Sequence, residues 1–202
     1  MAKIKLTKTE LKAQQDALKR YQRFLPTLQL KKQQLQMEMR LSAARLKSNE
    51  EQEEVLRDSL SVFVGVFGDA ALRAALPKIL RIRNVEKSYS NIAGVTVPVF
   101  SGVNFEHEAY DLFVTEPYYD AAIKAVEEVI SLQEARKVLE EQHRLLRREL
   151  NTTTQRVNLF EKVKIPECKE NIRKIRIYMG DQDTSAVARS KIAKGKSQEP
   201  AA

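Results

Sequence analysis

The chain has one cysteine, no tryptophan, and only six glycines and six prolines in 202 residues. A single thiol, Cys168, excludes an internal disulfide framework and suits a reducing compartment. Scarce glycine and proline remove the punctuation that a loop-rich or many-stranded domain needs. Aromatics make up only 6% of the residues, which argues against a broad buried centre. No run approaches the ~20 apolar residues that cross a bilayer, and the opening MAKIKLTKTELK has no apolar core of a secretory signal. The phosphate-cradling patterns GxxxxGK[ST] and GxGxxG are missing, so the sequence offers no common nucleotide loop and suggests no cofactor.

What the chain does have is charge and period. Charged residues are 31% of the total and the formal net charge is +8. The excess sits at both ends: residues 1–40 carry 10 Lys/Arg against 3 Asp/Glu, and residues 156–202 carry 11 against 6. If the termini meet in space, the molecule has one positive end. Lysine and arginine without interleaved aromatics support only non-specific phosphate attraction, so a nucleic-acid binder is a weak alternative.

From about Thr9 to Phe63 apolar residues follow a seven-residue repeat. One row is Leu11, Leu18, Leu25, Lys32, Met39, Leu46, Glu53 and Leu60. The other is Gln14, Tyr21, Leu28, Leu35, Ser42, Asn49, Leu56 and Phe63. Steps of three and four keep both rows on one side of a helix, a narrow seam that requires a partner. Thr7 and Thr9 with Glu10 offer cap chemistry at its start. Pro26 lies inside the pattern, but the phase continues across it, which predicts a kink and not a stop. A second seam runs through Ala122, Ala125, Val129, Leu132, Arg136, Leu139, His143, Leu146, Leu150, Thr153, Val157 and Phe160. Thr115, Glu116 and Pro117 mark its start, Pro166 interrupts it and Gly180 is the expected stop.

Between the rods, residues 69–77 read as a short helix capped by Asp69 and ended by Pro77. Residues 79–85 alternate at period two, and residues 95–100 with Pro98 fit an edge strand. The expected fold is mainly α: a long antiparallel two-helix coiled coil with a small head of short helix and β-hairpin. Its divisions are a first helix over 1–63, a head over 64–115, a second helix over 116–180 and a basic tail over 181–202. Antiparallel pairing places residues whose numbers sum to about 180 opposite one another, for example Leu11 near Cys168.

Candidate chemistry is thin. His143 lies on the seam, where a half-buried histidine is the ordinary reading. His107 stands among Glu106, Glu108 and Asp111, but one histidine without HExxH or paired cysteines is a weak metal site. The run Glu50, Glu51, Glu53 and Glu54 winds around a helix as a solvated surface. Cys168 reads as structural. The sequon at Asn151–Thr153 has no secretory signal to give it meaning.

Three stretches carry more than heptads. Residues 155–172 hold an R-V-N-x-x-E…I-P pattern through Arg156, Val157, Asn158, Glu161, Ile165 and Pro166. Residues 90–100 hold A-G-V-x-V-P through Ala93, Gly94, Val95, Val97 and Pro98. The opening TKTELKAQQDALKRYQRFL, followed by LKKQQLQMEM, matches in its turn. Together, and in order over essentially the whole chain, these resemble the D subunit of the V-type ATPase or ATP synthase, in its bacterial branch. Pro26 departs from that pattern.

The resemblance implies a non-catalytic central stalk, a rotor shaft coupling ATP synthesis or hydrolysis in a hexameric head to proton or sodium translocation. The implied partners are the hexamer's catalytic and regulatory subunits, the small F subunit of the stalk and a stalk-foot subunit that leads to the membrane ring. Neither nucleic acid nor a membrane span of its own is implied, and the implied place is peripheral, on the cytoplasmic side of the membrane. The basic ends, Lys3, Lys5, Lys8, Lys12, Arg189, Lys191 and Lys194, are the candidate hexamer contacts. The alternative from the seam alone is a coiled-coil scaffold or adaptor unrelated to rotary ATPases.

Overall fold

A computed structural model describes residues 4–61, 76, 77, 79–108 and 118–198. Helix α1 spans Lys8–Ser61, strands β1 and β2 span Leu80–Ile92 and Val95–His107, and α2 spans Tyr119–Asn158. A π-helical turn, Leu159–Lys164, leads without a break into α3, Ile165–Gln198. Phe63, Asp69, and the start signal at residues 115–117 lie outside the described residues. Leu76 and Pro77 carry helical backbone, and so does Ile79, so the expected stop at Pro77 itself is not seen.

The start of α1 is capped as expected: Thr7 Oγ1 accepts the Glu10 backbone N–H at 3.3 Å. Helix continues through Pro26, and Thr27 Oγ1 donates to the Phe24 carbonyl at 2.8 Å one turn back. Every described residue of both predicted α1 rows is buried or half-buried, and so is every residue of the second predicted seam. Polar members are included: Ser42, Asn49 and Glu53 are 2%, 7% and 6% exposed.

The chain divides into two compact units, residues 1–32 with 152–202, and residues 33–151. Within the first, Tyr21 packs on Phe160 with ring centroids 5.0 Å apart, and Asn171 Nδ2 donates to Gln14 Oε1 at 3.5 Å. Within the second, Leu35 shares a buried cluster with Leu146, Ser42 Oγ meets His143 Nδ1 at 3.3 Å, and Glu53 meets Arg136 at 3.5 Å. In each unit α1 numbers rise as partner numbers fall, the antiparallel pairing read from the two seams.

Three further features differ from expectation. Gly180 does not stop the second rod; helix runs on to Gln198, and Thr184 Oγ1 donates to the Gly180 carbonyl at 2.9 Å. Glycine in a helix interior costs only about 1 kcal/mol against alanine, which the surrounding helix formers absorb. The basic tail is therefore helical as far as Gln198. The strands are also longer than the alternating stretches, thirteen residues each.

The third difference lies in the seam. Beyond Phe160 the regular three-four step would bury Lys164, Glu167, Asn171 and Lys174. Asn171 is buried and Lys164 half-buried, but Glu167 and Lys174 are exposed, and the apolar Cys168, Ile172 and Ile175 are buried one position later. The π-turn inserts the extra residue: the Ile165 N–H bonds to the Phe160 carbonyl, five residues back instead of four. The same turn precedes Pro166, which has no N–H to donate and whose ring would strike a regular carbonyl four residues earlier.

The hairpin turns on two residues, Ala93 at φ 51° and Gly94 at φ 80°. Positive φ at both centres is the geometry that follows the right-handed twist of paired strands. Asn91 Oδ1 secures it by accepting the Gly94 N–H at 2.9 Å. Shifts in register between Ile82 and Asn84, and between Glu86 and Lys87, add two irregularities that bend the ribbon. Gly94→Val places a β-branched side chain in the left-handed region and is expected to cost about 1–2 kcal/mol. Chemical denaturation of the two chains side by side measures it; an unchanged midpoint would show the turn to be unstrained.

Candidate functional site

No helix among the described residues is long and apolar enough to cross a membrane. No group of three His, Cys, Asp or Glu among them could hold a metal. His107 instead lies 3.1 Å from Glu127, an ion pair when the imidazole is protonated.

All of the candidate contact residues fall in the first unit. Lys3 lies outside the described residues. Lys5 is exposed just before α1, and Lys8 and Lys12 are exposed in its first turns. Arg189, Lys191 and Lys194 are exposed on α3. The structure does not bring the two sets together. The Gln14–Asn171 pair, extended along both helices, sets Lys8 level with about Ile177, which leaves Arg189 roughly 18 Å further along at 1.5 Å per residue. From Gly180 to Gly195 every residue of α3 is exposed. Its last turns are a single bare helix, and the positive ends are staggered instead of merged.

A basic groove lies below this bare stretch, one that the sequence expectations do not include. It is an open depression of about 710 Å³ floored by Leu18 and Ile172 and edged by Lys19, Lys169, Arg173 and Arg176. The spacing of Lys169, Arg173 and Arg176, four and then three residues apart, is the signal for it in the sequence. Arg173 is occupied by Glu170, bonding it twice at 2.9 and 3.0 Å. That hydrogen bonding holds the Glu170 carboxyl below its ordinary range. A bond from Lys164 to Glu167 likewise raises the Lys164 ammonium. Cys168 is buried in the seam beside these pairs, and burial pushes its thiol up, away from the nucleophilic thiolate.

The motif residues fall into two structural roles. Val157 is buried in the seam, whereas Arg156, Asn158 and Glu161 are exposed around the π-turn, and Ile165 and Pro166 begin α3. In the hairpin, Gly94 makes the turn and Pro98 is buried opposite Tyr89. Arg136 binds Glu50, Glu53 and Glu140 at 3.5, 3.5 and 3.0 Å. Its guanidinium is held protonated foremost by the Glu140 hydrogen bond.

This arrangement can grip partners along helical faces and through cations; it holds no assembled nucleophile, base or metal triad among the described residues. Comparison with known proteins agrees in length and order. The family profile described as the D subunit of ATP synthase matches residues 10–195. The V-type ATP synthase D subunit of Borreliella burgdorferi is 44% identical over 194 residues, covering 96% of this chain and 95% of that protein. The proteins of the same name from Chlamydia muridarum and Chlamydia caviae are 35% and 32% identical. Each alignment spans 98% of this chain, and they cover 98% and 95% of those proteins respectively. The chain belongs to the family of ATP synthase D subunits.

Proposed function

We propose that this chain is the central-stalk subunit of a V-type ATPase or ATP synthase, a non-catalytic shaft coupling nucleotide turnover in a hexameric head to ion translocation. The observation that carries the reading is the family match running nearly end to end over helices that pair antiparallel along a seam in each unit. A shaft transmits torque through such a seam and has no use for a nucleotide pocket. Within this reading the partners are the catalytic and regulatory subunits of the hexamer, the small F subunit of the stalk and a stalk-foot subunit. The complex sits peripherally on the cytoplasmic face of the membrane.

The bare end of α3 is the part suited to the hexamer. A solvated helix bearing Arg189, Lys191 and Lys194 can turn within an acidic-walled opening, because its attraction is long-ranged and not locked by interdigitating side chains. The experiment removes residues 184–202 and replaces Lys3, Lys5, Lys8 and Lys12 with Gln, then reconstitutes the chain with the hexamer and the small stalk subunit. Hexamer affinity is expected to fall at least tenfold, with a steeper loss at low salt, and ion transport to uncouple from ATP turnover. Unchanged affinity and coupling would refute the charged-end role.

A further inference from the structure

The second unit contains a stretch of helix pair that its own seam holds poorly. Between Leu35 and Leu56 the buried α1 positions include Ser42, Asn49 and Glu53, and facing α2 positions include Arg136, Gln142 and His143. Polar residues at seam positions fix register but sacrifice stability. The Asn49 Oδ1 atom is buried without a hydrogen-bond partner, a cost that falls on the paired state alone. Glu53 is neutralised by Arg57 at 2.6 Å and by Arg136, and removing such a pair from water returns little net stability.

The β-hairpin docks on α2 at both sides of this stretch, and on α1 at the Leu35 end. At its base, Ile79, Leu80 and Phe105 pack with Tyr119, Ala122, Ile123, Val126 and Ile130. At its tip, Val97 is fully buried with Leu35 and Leu146, and Ile92, Ala93 and Val95 pack against them. Along α2 the polar positions 136–143 lie between these two anchor points. The lengths agree as well. Leu80 to Ile92 spans roughly 40 Å at ~3.3 Å per strand residue, and Ala122 to Leu146 spans roughly 36 Å at 1.5 Å per helical residue. The outward residues of β1 from Glu86 to Asn91 are exposed, so the ribbon is anchored at its ends by apolar contact.

We infer that the hairpin is a splint: fixed on α2 at its base, it ties α1 to α2 at its tip, beside the polar stretch, and so opposes separation or slippage of the two helices there. The inference is independent of the rotor reading; its consequence for torque, a stiffened section where the seam is weakest, rests on that reading.

The test is amide hydrogen exchange on the full chain, wild type against a variant in which residues 86–102 are replaced by Asn-Gly, which keeps the base and deletes the tip. A second comparison uses Val97→Asp, which keeps the ribbon and spoils its docking. Both should exchange at least tenfold faster at residues 46–53 and 136–139, with amides around Ile175 in the first unit unchanged. The same tip deletion is then made in a chain carrying Ser42→Leu, Asn49→Leu, Glu53→Leu, Arg136→Leu and His143→Leu. There most of the polar stretch is replaced by leucine, and exchange at 46–53 should rise less than threefold. Unaltered protection after tip deletion in the native background would overturn the inference. So would an equal loss of protection in both backgrounds, since the tip would then be a mere cover for Leu35 and Leu146. Failure of the wild-type chain to bind a hexamer would count against the proposed function and not against the splint.

Discussion

Leu146→Ala is expected to lower stability by about 3 kcal/mol, within the range of 2–5 found for buried leucines. The side chain is fully buried, and so are its neighbours Leu35 and Val97. They belong to three different elements, α2, α1 and β2, and each presents a rigid backbone to the cluster. Truncation therefore leaves a cavity that no single loop can relax to fill, and the cavity adds to the lost transfer energy. Paired helices elsewhere offer a contrast, because most seam leucines, such as Leu11 and Leu18, are only half-buried and should lose less. Met37→Ala is the matched control: it is 64% exposed on α1 and should change stability by less than about 0.5 kcal/mol. Urea unfolding followed by circular dichroism measures both, and hydrogen exchange assigns the Leu146→Ala loss to residues 33–151. A loss below about 1 kcal/mol, short of the buried-leucine range, would mean that the tip of the hairpin does not seal this cluster.

That cluster also marks the boundary of what can be read from the chain. Seam residues are legible one by one, polar members included, because a heptad phase is a local property that survives Pro26 and tolerates Lys32, Ser42 and Glu53. The tip of the hairpin is legible as a turn between two short strands, but not as a docked turn. Its contact with Leu35 and Leu146 joins positions about fifty residues apart or more, and no periodicity encodes that. Residues 86–91 show no apolar alternation because they face solvent, so the strands read shorter than they are. Gly180 misleads in the other direction: a glycine marks a helix end only when the backbone there turns left-handed, and this one stays helical. The stagger of the basic ends follows from that continuation.

The π-turn, too, has a signature in the sequence. Ile165, Cys168, Ile172 and Ile175 keep a three-four spacing, displaced by one from the phase that ends at Phe160. Two causes compete for the turn: the lost donor of Pro166 and the extra residue itself. They separate by mutation. If the phase of the seam demands the turn, Pro166→Ala leaves it in place, because a regular helix would carry Glu167 and Lys174 inward and Ile175 out. Cys168, 5% exposed with its thiol pushed up by burial, then stays slow to alkylate. Deleting Lys162, exposed in the middle of the turn, removes the extra residue and restores one continuous phase, but sets Pro166 in a regular helix interior at a cost of about 3 kcal/mol. The deletion alone should thus lower the melting temperature, and deletion combined with Pro166→Ala should restore it to at least the wild-type value, with Cys168 still protected. Rapid alkylation of Cys168 in Pro166→Ala would assign the turn to the proline instead. Restoration in the double variant would establish that the helix carries its π-turn to correct a count of residues, and that the proline occupies a position the corrected count had already made tolerable.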